Sequence, residues 1–307
     1  MITISKNKIN NILNEQFAYD CVLRGMKSQS NRSTYVNPRS AKSFGNNKLI
    51  ADMAASIEDM QVFGFKHYTV NNGRYYYYIY LYDFLSKELL TVMEAEKIGK
   101  YRTAAVTSLA IDKLRTSKMK NLSIIGTGFQ AKQQLNSILA CNAKFNKIFI
   151  YSLSDHNREI FVTEFKNKYK ELEFVNCPDE KSALIDSDVI VTATNSEFPV
   201  IHNQYLKDNY LIIGMGAATP YFIEIDQNII GNCDLILVDD KDQAKLESGD
   251  LLSPISKGIS NWNNVLNFSE IFEKNFDLNN KNKIFFKSLG IALWDIAIAK
   301  GIYDLAT

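Results

Sequence analysis

The stretch Leu122-Ser-Ile-Ile-Gly-Thr-Gly-Phe-Gln-Ala-Lys-Gln-Gln-Leu135 constrains this chain more than any other. A short apolar run stops at Gly126, a second glycine follows at Gly128, and a helix-compatible run begins at once. A buried strand that passes into a helix through so tight a turn presents backbone amides at the helix N-terminus. The partial positive charge there favours a pyrophosphate. Ala131 completes a G-x-G-x-x-A spacing, which by itself is common at strand ends. Its context strengthens it: a second apolar strand, Lys147-Ile-Phe-Ile-Tyr151, follows one helix length later and completes a βαβ unit.

At 307 residues the chain is long enough for two domains, and its 46% hydrophobic and 22% charged residues suit a globular protein with a proper core. The net charge of +1, with Lys and Arg scattered, gives no nucleic-acid footprint. The densest basic run, Lys113 to Lys120, reads as a solvated helix end. Cys21, Cys141, Cys177 and Cys233 lie far apart, and neither they nor His67, His156 and His202 show metal-ligand spacing. Reduced thiols and no metal site are expected. No apolar run is long enough to span a bilayer, and the N-terminus carries no long apolar segment, so the expected location is cytoplasmic.

Along the chain, a strand and an amphipathic helix over Asn7 to Met26 are expected first, with Ile9, Ile12, Leu13, Phe17 and Leu23 on one face. The polar stretch Ser28 to Asn47 reads as loop. Strands follow at Val62 to Val70, Arg74 to Phe84 and Leu89 to Met93, the first two joined by an Asn71-Asn72-Gly73 hairpin turn. Both faces of Tyr75-Tyr-Tyr-Tyr-Ile-Tyr-Leu-Tyr82 are apolar or aromatic, which suits a sheet covered by helices or one packed on another subunit. The alanine-rich segment Arg102 to Leu114 is helical in period. Beyond it, strands are expected at 122–125, 147–151, 187–193, 210–215 and 234–238, alternating with helices. After Asp239-Asp240 the pattern becomes mainly helical, and Ile284 to Asp295 reads as a strand or turn entering a terminal helix that returns to the first domain. The fold class is α/β: a Rossmann doubly wound parallel sheet plus an α+β substrate and dimerisation domain. The expected bounds are 1–112 with 286–307 for the latter and 113–285 for the former.

Gly126, Gly128 and Ala131 allow close backbone approach to a dinucleotide. At the end of the second strand, Tyr151-Ser152-Leu153-Ser154-Asp155 offers a serine where an acid would bind both ribose hydroxyls, with an aspartate three residues late. No arginine follows immediately to hold an extra phosphate, so NAD against NADP stays open. Thr192-Ala-Thr194-Asn-Ser and Gly214-Met-Gly216-Ala-Ala-Thr-Pro220 follow apolar strands, where this topology sets loops against a cofactor. In the segments before the nucleotide domain, Arg39, Lys66 and Arg102 are cations in moderately apolar surroundings. An arginine suits a bidentate grip on a carboxylate, and a lysine beside it can hold or protonate a substrate group.

Taken in order, Glu94-Ala-Glu-Lys-Ile-Gly-Lys-Tyr-Arg-Thr-Ala-Ala105, Gly126-Thr-Gly-Phe-Gln-Ala131, Thr192-Ala-Thr194, Val238-Asp-Asp240 and Lys287-Ser-Leu-Gly-Ile-Ala292 resemble the ornithine cyclodeaminase/mu-crystallin family. The resemblance spans nearly the whole chain and implies a homodimer that binds NAD(P). By matching position it implies that Arg39, Lys66 and Arg102 bind the substrate carboxylate and serve catalysis, with Arg102 bridging to the cofactor and Leu289 touching substrate. It assigns Arg102, Thr103, Gly126, Thr127, Gly128, Phe129, Gln130, Ala131, Ser152, Thr194, Met215, Gly216, Ala217 and Ser288 to the cofactor.

Two departures narrow the chemistry. Cyclodeaminases carry an aspartate and a lysine where this chain has Ala218 and Phe222. Alanine does no acid–base work, so cyclodeamination through that carboxylate is not expected. Gly99 stands where a threonine is common. A protonated C=N is already electrophilic, so a reductase need only orient it and hold the adjacent carboxylate. The expected activity is therefore NAD(P)H-dependent reduction at an imine or amino-acid C–N bond next to a carboxylate, as in ketimine or pyrroline-2-carboxylate reductases. Two alternatives stand beside it: an NAD-dependent biosynthetic enzyme of the cyclodeaminase or siderophore-precursor type that forms or splits a secondary amine, and a non-catalytic, NAD(P)-loaded ligand-binding protein. The expected partner is a small amino or imino acid, with no nucleic acid and no membrane.

Overall fold

The computed structural model describes residues 2–44, 48–141, 144–216 and 218–307. They form two compact units: Met1–Val106 with Ser269–Asn275 and Gly290–Thr307, and Thr107–Phe268 with Phe276–Leu289.

The first unit begins with β1 (Ile2–Thr3), α1 (Lys6–Ile12) and α2 (Glu15–Ser30). The single helix expected over Asn7 to Met26 is thus two. Leu13 turns extended, and the Asn14 side chain accepts from the Phe17 amide at 2.9 Å, capping a new helix as short polar residues do. Strands β2 (Thr34–Ser43), β3 (Lys48–Ile57), β4 (Val62–Asn71), β5 (Arg74–Asp83) and β6 (Leu89–Glu94) complete a sheet of order β1-β6-β5-β4-β3-β2. Much of the segment Ser28 to Asn47 is therefore strand rather than loop. Its polarity suits an edge position, since β2 pairs with β3 alone among the described residues. Gly45 to Asn47 lie outside the described residues. The register shifts between Asn37 and Ser40, where Pro38 cannot donate to the ladder. Arg39 therefore sits in an irregularity of the kind that re-aims a side chain.

The hairpin β4–β5 turns at Asn72-Gly73 as expected, with Asn72 at φ 48° and Gly73 at φ 77°. On one face of this sheet lie Lys66, Ile79 and Leu81, all buried, and α10 (Ala292–Ala306) packs against β3, β4 and β5. That helix is apolar almost all round and buried from Ala292 to Ala299, as befits a core helix; it also packs on α2. The alternating positions carry Phe63, Phe65, Tyr80 and Tyr82, stacked at 4.8 to 5.9 Å between ring centroids. Toward the hairpin tip, Tyr75 and Tyr76 are exposed. Helix α3 (Glu96–Leu114) starts six residues before the expected segment and carries the chain into the second unit.

In chain order the second unit comprises β7 (Asn121–Ile125), α4 (Phe129–Ala140), β8 (Lys147–Tyr151), α5 (Asp155–Lys168), β9 (Glu173–Asn176), α6 (Glu180–Leu184), β10 (Val189–Thr192) and β11 (Tyr210–Gly214). It continues with α7 (Gln227–Asn232), β12 (Leu235–Val238), α8 (Lys241–Glu247), α9 (Gly249–Ser256), β13 (Val265–Asn267) and β14 (Lys283–Lys287). The strands form one parallel sheet of order β13-β12-β14-β11-β10-β7-β8-β9. The order reverses between β7 and β10, the switch point where doubly wound sheets bind ligands beyond their strand ends. The region after Asp240 is less helical than its composition suggests. Lys283–Lys287 is an interior strand, inserted between β11 and β12, and Ile284, Phe285 and Phe286 are buried on both sheet faces.

Candidate functional site

A groove of about 780 Å³ opens at the switch point, lined by the turns after β7, β8, β10 and β11. Its size is that of a small-molecule site. Gly126 adopts φ 109°, and a Cβ there would stand 2.6 Å from the Ala193 carbonyl oxygen, so the turn after β7 approaches the end of β10 more closely than a side chain permits. Gly128 caps α4 without a side-chain acceptor, which leaves the first-turn amides toward the groove for an anion. Ala131 is buried against the sheet, while Phe129 and Gln130 are exposed beside the groove. The Thr127 hydroxyl donates to Ser152 Oγ at 3.0 Å, tying the glycine turn to the end of β8. These features fit a dinucleotide. Asp155, the late acid, is not among the groove residues; its carboxylate pairs with Arg158 at 2.6 Å.

The far wall rests on buried charges that sequence reading missed. Glu224, fully buried, accepts from the Thr194 amide and hydroxyl at 2.9 and 2.7 Å and from the Gly216 amide at 3.0 Å. Its own amide donates to Asp250, which pairs with Lys287 at 2.7 Å. Thr194 and Gly216 therefore line the groove with their polar groups held from behind, and Met215 is fixed by its amide donating to Thr192 at 3.0 Å. Ala217 lies outside the described residues. Ser288 and Leu289 are both buried. The Ser288 hydroxyl and the Leu289 amide donate to Asp239 at 3.2 and 2.7 Å. A signal for these residues was present: Lys287 and Asp239 end apolar strands, and a charge in such a run must find a partner when buried.

In the first unit, Lys66 and Arg102 come together, and Asp295 joins them. Lys66 is 3% exposed and Asp295 0%, with Lys66 Nζ 2.9 Å from Asp295 Oδ1 and Arg102 Nε 3.4 Å from Oδ2. Arg39 donates to the Gly290 carbonyl oxygen at 3.2 Å, and the same glycine meets Arg102: at φ 83°, a Cβ there would lie 2.3 Å from its Nη1. Gly290 thus seats both arginines. Burial pulls the Lys66 ammonium down from 10.5 to about 8; Asp295 opposes that shift, and Arg102 and Arg39 add to it. The Tyr77 ring stands 5.2 Å from Lys66 Nζ. The Thr103 hydroxyl, expected at the cofactor, donates within α3 to the Gly99 carbonyl at 2.8 Å. Asp295 could have been suspected as the one acid in the apolar run Ile291-Ala-Leu-Trp-Asp-Ile-Ala-Ile.

Among the described residues, no group of three or more His, Cys, Asp or Glu could hold a metal ion, and no helix is long and apolar enough to cross a membrane. A glycine turn and open helix N-terminus at the switch point of a doubly wound parallel sheet define a Rossmann-type dinucleotide-binding protein. The chain belongs to the ornithine cyclodeaminase/mu-crystallin family, whose model matches residues 3–307. It is similar to the Delta(1)-pyrroline-2-carboxylate reductase of Bacillus cereus, at 28% identity across 100% of this chain and 97% of the relative. It is also 28% identical to the ketimine reductase mu-crystallin of Macropus fuliginosus, over 74% of this chain and 68% of the relative. Among solved structures, Thermococcus litoralis Delta(1)-pyrroline-2-carboxylate reductase, in complex with NADH and L-proline, matches with TM-score 0.88 at 24% identity, covering 100% and 97% of the two chains.

Proposed function

We propose that this chain is an NAD(P)H-dependent reductase of cyclic imino acids that carry a carboxylate next to the C=N bond. The observation that carries this reading is the charge count in the first unit: the buried Lys66 and Arg102 share a single carboxylate, Asp295, and Arg39 donates to the Gly290 carbonyl oxygen beside Arg102. Such a buried surplus of positive charge favours a small anion, and a planar guanidinium matches a carboxylate. Arg39 and Lys66 hold the substrate carboxylate. The Lys66 ammonium, or a water it orients, supplies the proton that keeps the imine nitrogen cationic. When bound, the reduced nicotinamide supplies a hydride to the imine carbon. The first unit is thus the substrate and dimerisation domain, and the second holds the dinucleotide. Ala218 offers no group for acid–base work, in keeping with reduction rather than cyclodeamination.

NADH is the favoured cofactor. Among the described residues lining the groove there is no Lys or Arg to meet a 2′-phosphate, and Ser152 and Ser154 stand at the ribose end. Arg158 is not among the lining residues, and its guanidinium is already engaged by the Ser152 carbonyl oxygen, Asp155 and Asn176. The aromatic face bearing Phe63, Phe65, Tyr80 and Tyr82 is the dimer interface, and the four free cysteines fit the cytoplasm.

The test is oxidation of NADH, followed by its absorbance, with Δ1-pyrroline-2-carboxylate and Δ1-piperideine-2-carboxylate as substrates, repeated with NADPH. Turnover of either imino acid, with a KM at least about tenfold lower for NADH than for NADPH, is the expected result. No oxidation of either cofactor by any cyclic imino acid would overturn the reading.

A further inference from the structure

We propose that Asp295 is the positioning residue of the reductase site: its carboxylate, divided between Lys66 and Arg102, keeps the Lys66 ammonium charged and aimed. This rests on the reductase reading of the same site. The geometry carries it. Asp295 lies in the first turn of α10 and is fully buried, with one oxygen 2.9 Å from Lys66 Nζ and the other 3.4 Å from Arg102 Nε. The three side chains arrive from β4, α3 and α10, and 229 residues separate Lys66 from Asp295 in sequence.

A lysine buried to this degree would release its proton unless an anion held it. The groups facing Lys66 are Asp295 from α10, Arg102 from α3, Arg39 from β2 and the Tyr77 ring from β5. Two of the four are cations that repel the ammonium, and Asp295 is the one anion among them. Its first-turn position also places the carboxylate near the positive end of the helix, where a negative charge is favoured. Asp295 therefore opposes burial first and the two arginines second, all of which push Lys66 toward its neutral form. Its second oxygen also forms an ion pair with Arg102, at 3.4 Å from Nε.

A carboxylate in this role, unlike one that only packs, controls where Lys66 titrates. The holoenzyme and its D295N and D295E variants are compared by the pH profile of kcat/KM for a cyclic imino acid at saturating NADH. The Nζ chemical shift of Lys66 in 15N-lysine-labelled protein, assigned by its loss in K66M, is titrated in parallel. In D295N the alkaline limb and the Nζ midpoint should both move down by about one pH unit or more, with KM rising at least about tenfold and NADH affinity unchanged. In D295E both should return toward the wild-type position. A uniform drop in kcat/KM with unmoved midpoints would overturn the proposal and leave Asp295 a structural residue.

If D295N does not fold, the wild-type Nζ signal decides. A Lys66 charged at about pH 7 supports the proposal, and one already neutral there overturns it. The titration needs no turnover, so failure of the reductase reading shows as absent NADH oxidation while Lys66 still reports on Asp295.

Discussion

Glu224 and Thr194 are joined twice: one carboxylate oxygen accepts from both the amide and the hydroxyl of Thr194, at 2.9 and 2.7 Å. The other oxygen takes the Gly216 amide at 3.0 Å, so a single buried side chain holds the loops after β10 and β11 in place. A Cβ on Gly216 would stand 2.5 Å from Glu224 Oε1, which shows how closely the loop closes on it. Replacing Glu224 with Gln keeps the shape but removes the charge and turns one acceptor into a donor that faces a donor. The expected cost is about 2–4 kcal/mol of stability, read by thermal or urea unfolding. Because these loops line the groove, the Kd for NADH should rise at least about tenfold in a fluorescence titration. Wild-type stability and NADH affinity in E224Q would show that the clamp is dispensable.

Lys66→Met should abolish most turnover of imino acids. On the proposed reading it removes a charged contact to the substrate and the proton source together, and a fall in kcat/KM of at least about a hundredfold is expected, with NADH binding unchanged. In the wild type, kcat/KM should fall as pH rises through about 8, where Lys66 loses its charge. The stability contribution runs the other way. A lysine whose pKa drops from 10.5 to about 8 on folding gives up its proton in the native state first, so the unfolded chain binds more protons between those values and this group's contribution to stability grows with pH. K66M should flatten both trends in pH-dependent kinetics and urea titrations.

Gly290→Ala is a small change with a large expected effect. At φ 83° the backbone is strained for any L side chain, and the added methyl would fall 2.3 Å from Arg102 Nη1. The guanidinium must move, and the Gly290 carbonyl that accepts from Arg39 moves with its residue. The KM for the imino acid should rise at least about tenfold. Unchanged steady-state kinetics would mean that Arg102 tolerates displacement.

Phe65→Asp tests the aromatic face. Phe65 stacks on Tyr80 at 4.8 Å and Tyr82 at 5.9 Å, and a carboxylate there would face a desolvated surface in a dimer. Light scattering after size exclusion should report a dimer for the wild type and a monomer for F65D. A dimer in both would place the interface elsewhere.

The nucleotide half was legible because its signals are local. The glycine turn at 126–128 and the apolar β7 and β8 announce themselves within a dozen residues, as the Asn72-Gly73 hairpin does in the first unit, since strand, turn and helix periods are short-range properties. The same locality explains the errors. Asn14 caps a new helix inside an apolar periodicity that reads as continuous, and β2 is polar because it is an edge. Pairing partners, not residue type, make Thr34–Ser43 a strand.

By itself the sequence determined the doubly wound sheet and its dinucleotide turn, because each is written in contiguous residues, while Arg39, Lys66 and Arg102 were marked out through resemblance to a family. Only the tertiary structure decided who neutralises and orients them. Asp295 reaches Lys66 across 229 residues, and Asp250 meets Lys287 once β14 has slotted between β11 and β12. The physical reason is that a buried charge is specified by its surroundings. Its partner must come from whatever part of the chain the packed core brings within about 3 Å, and no local pattern records that meeting.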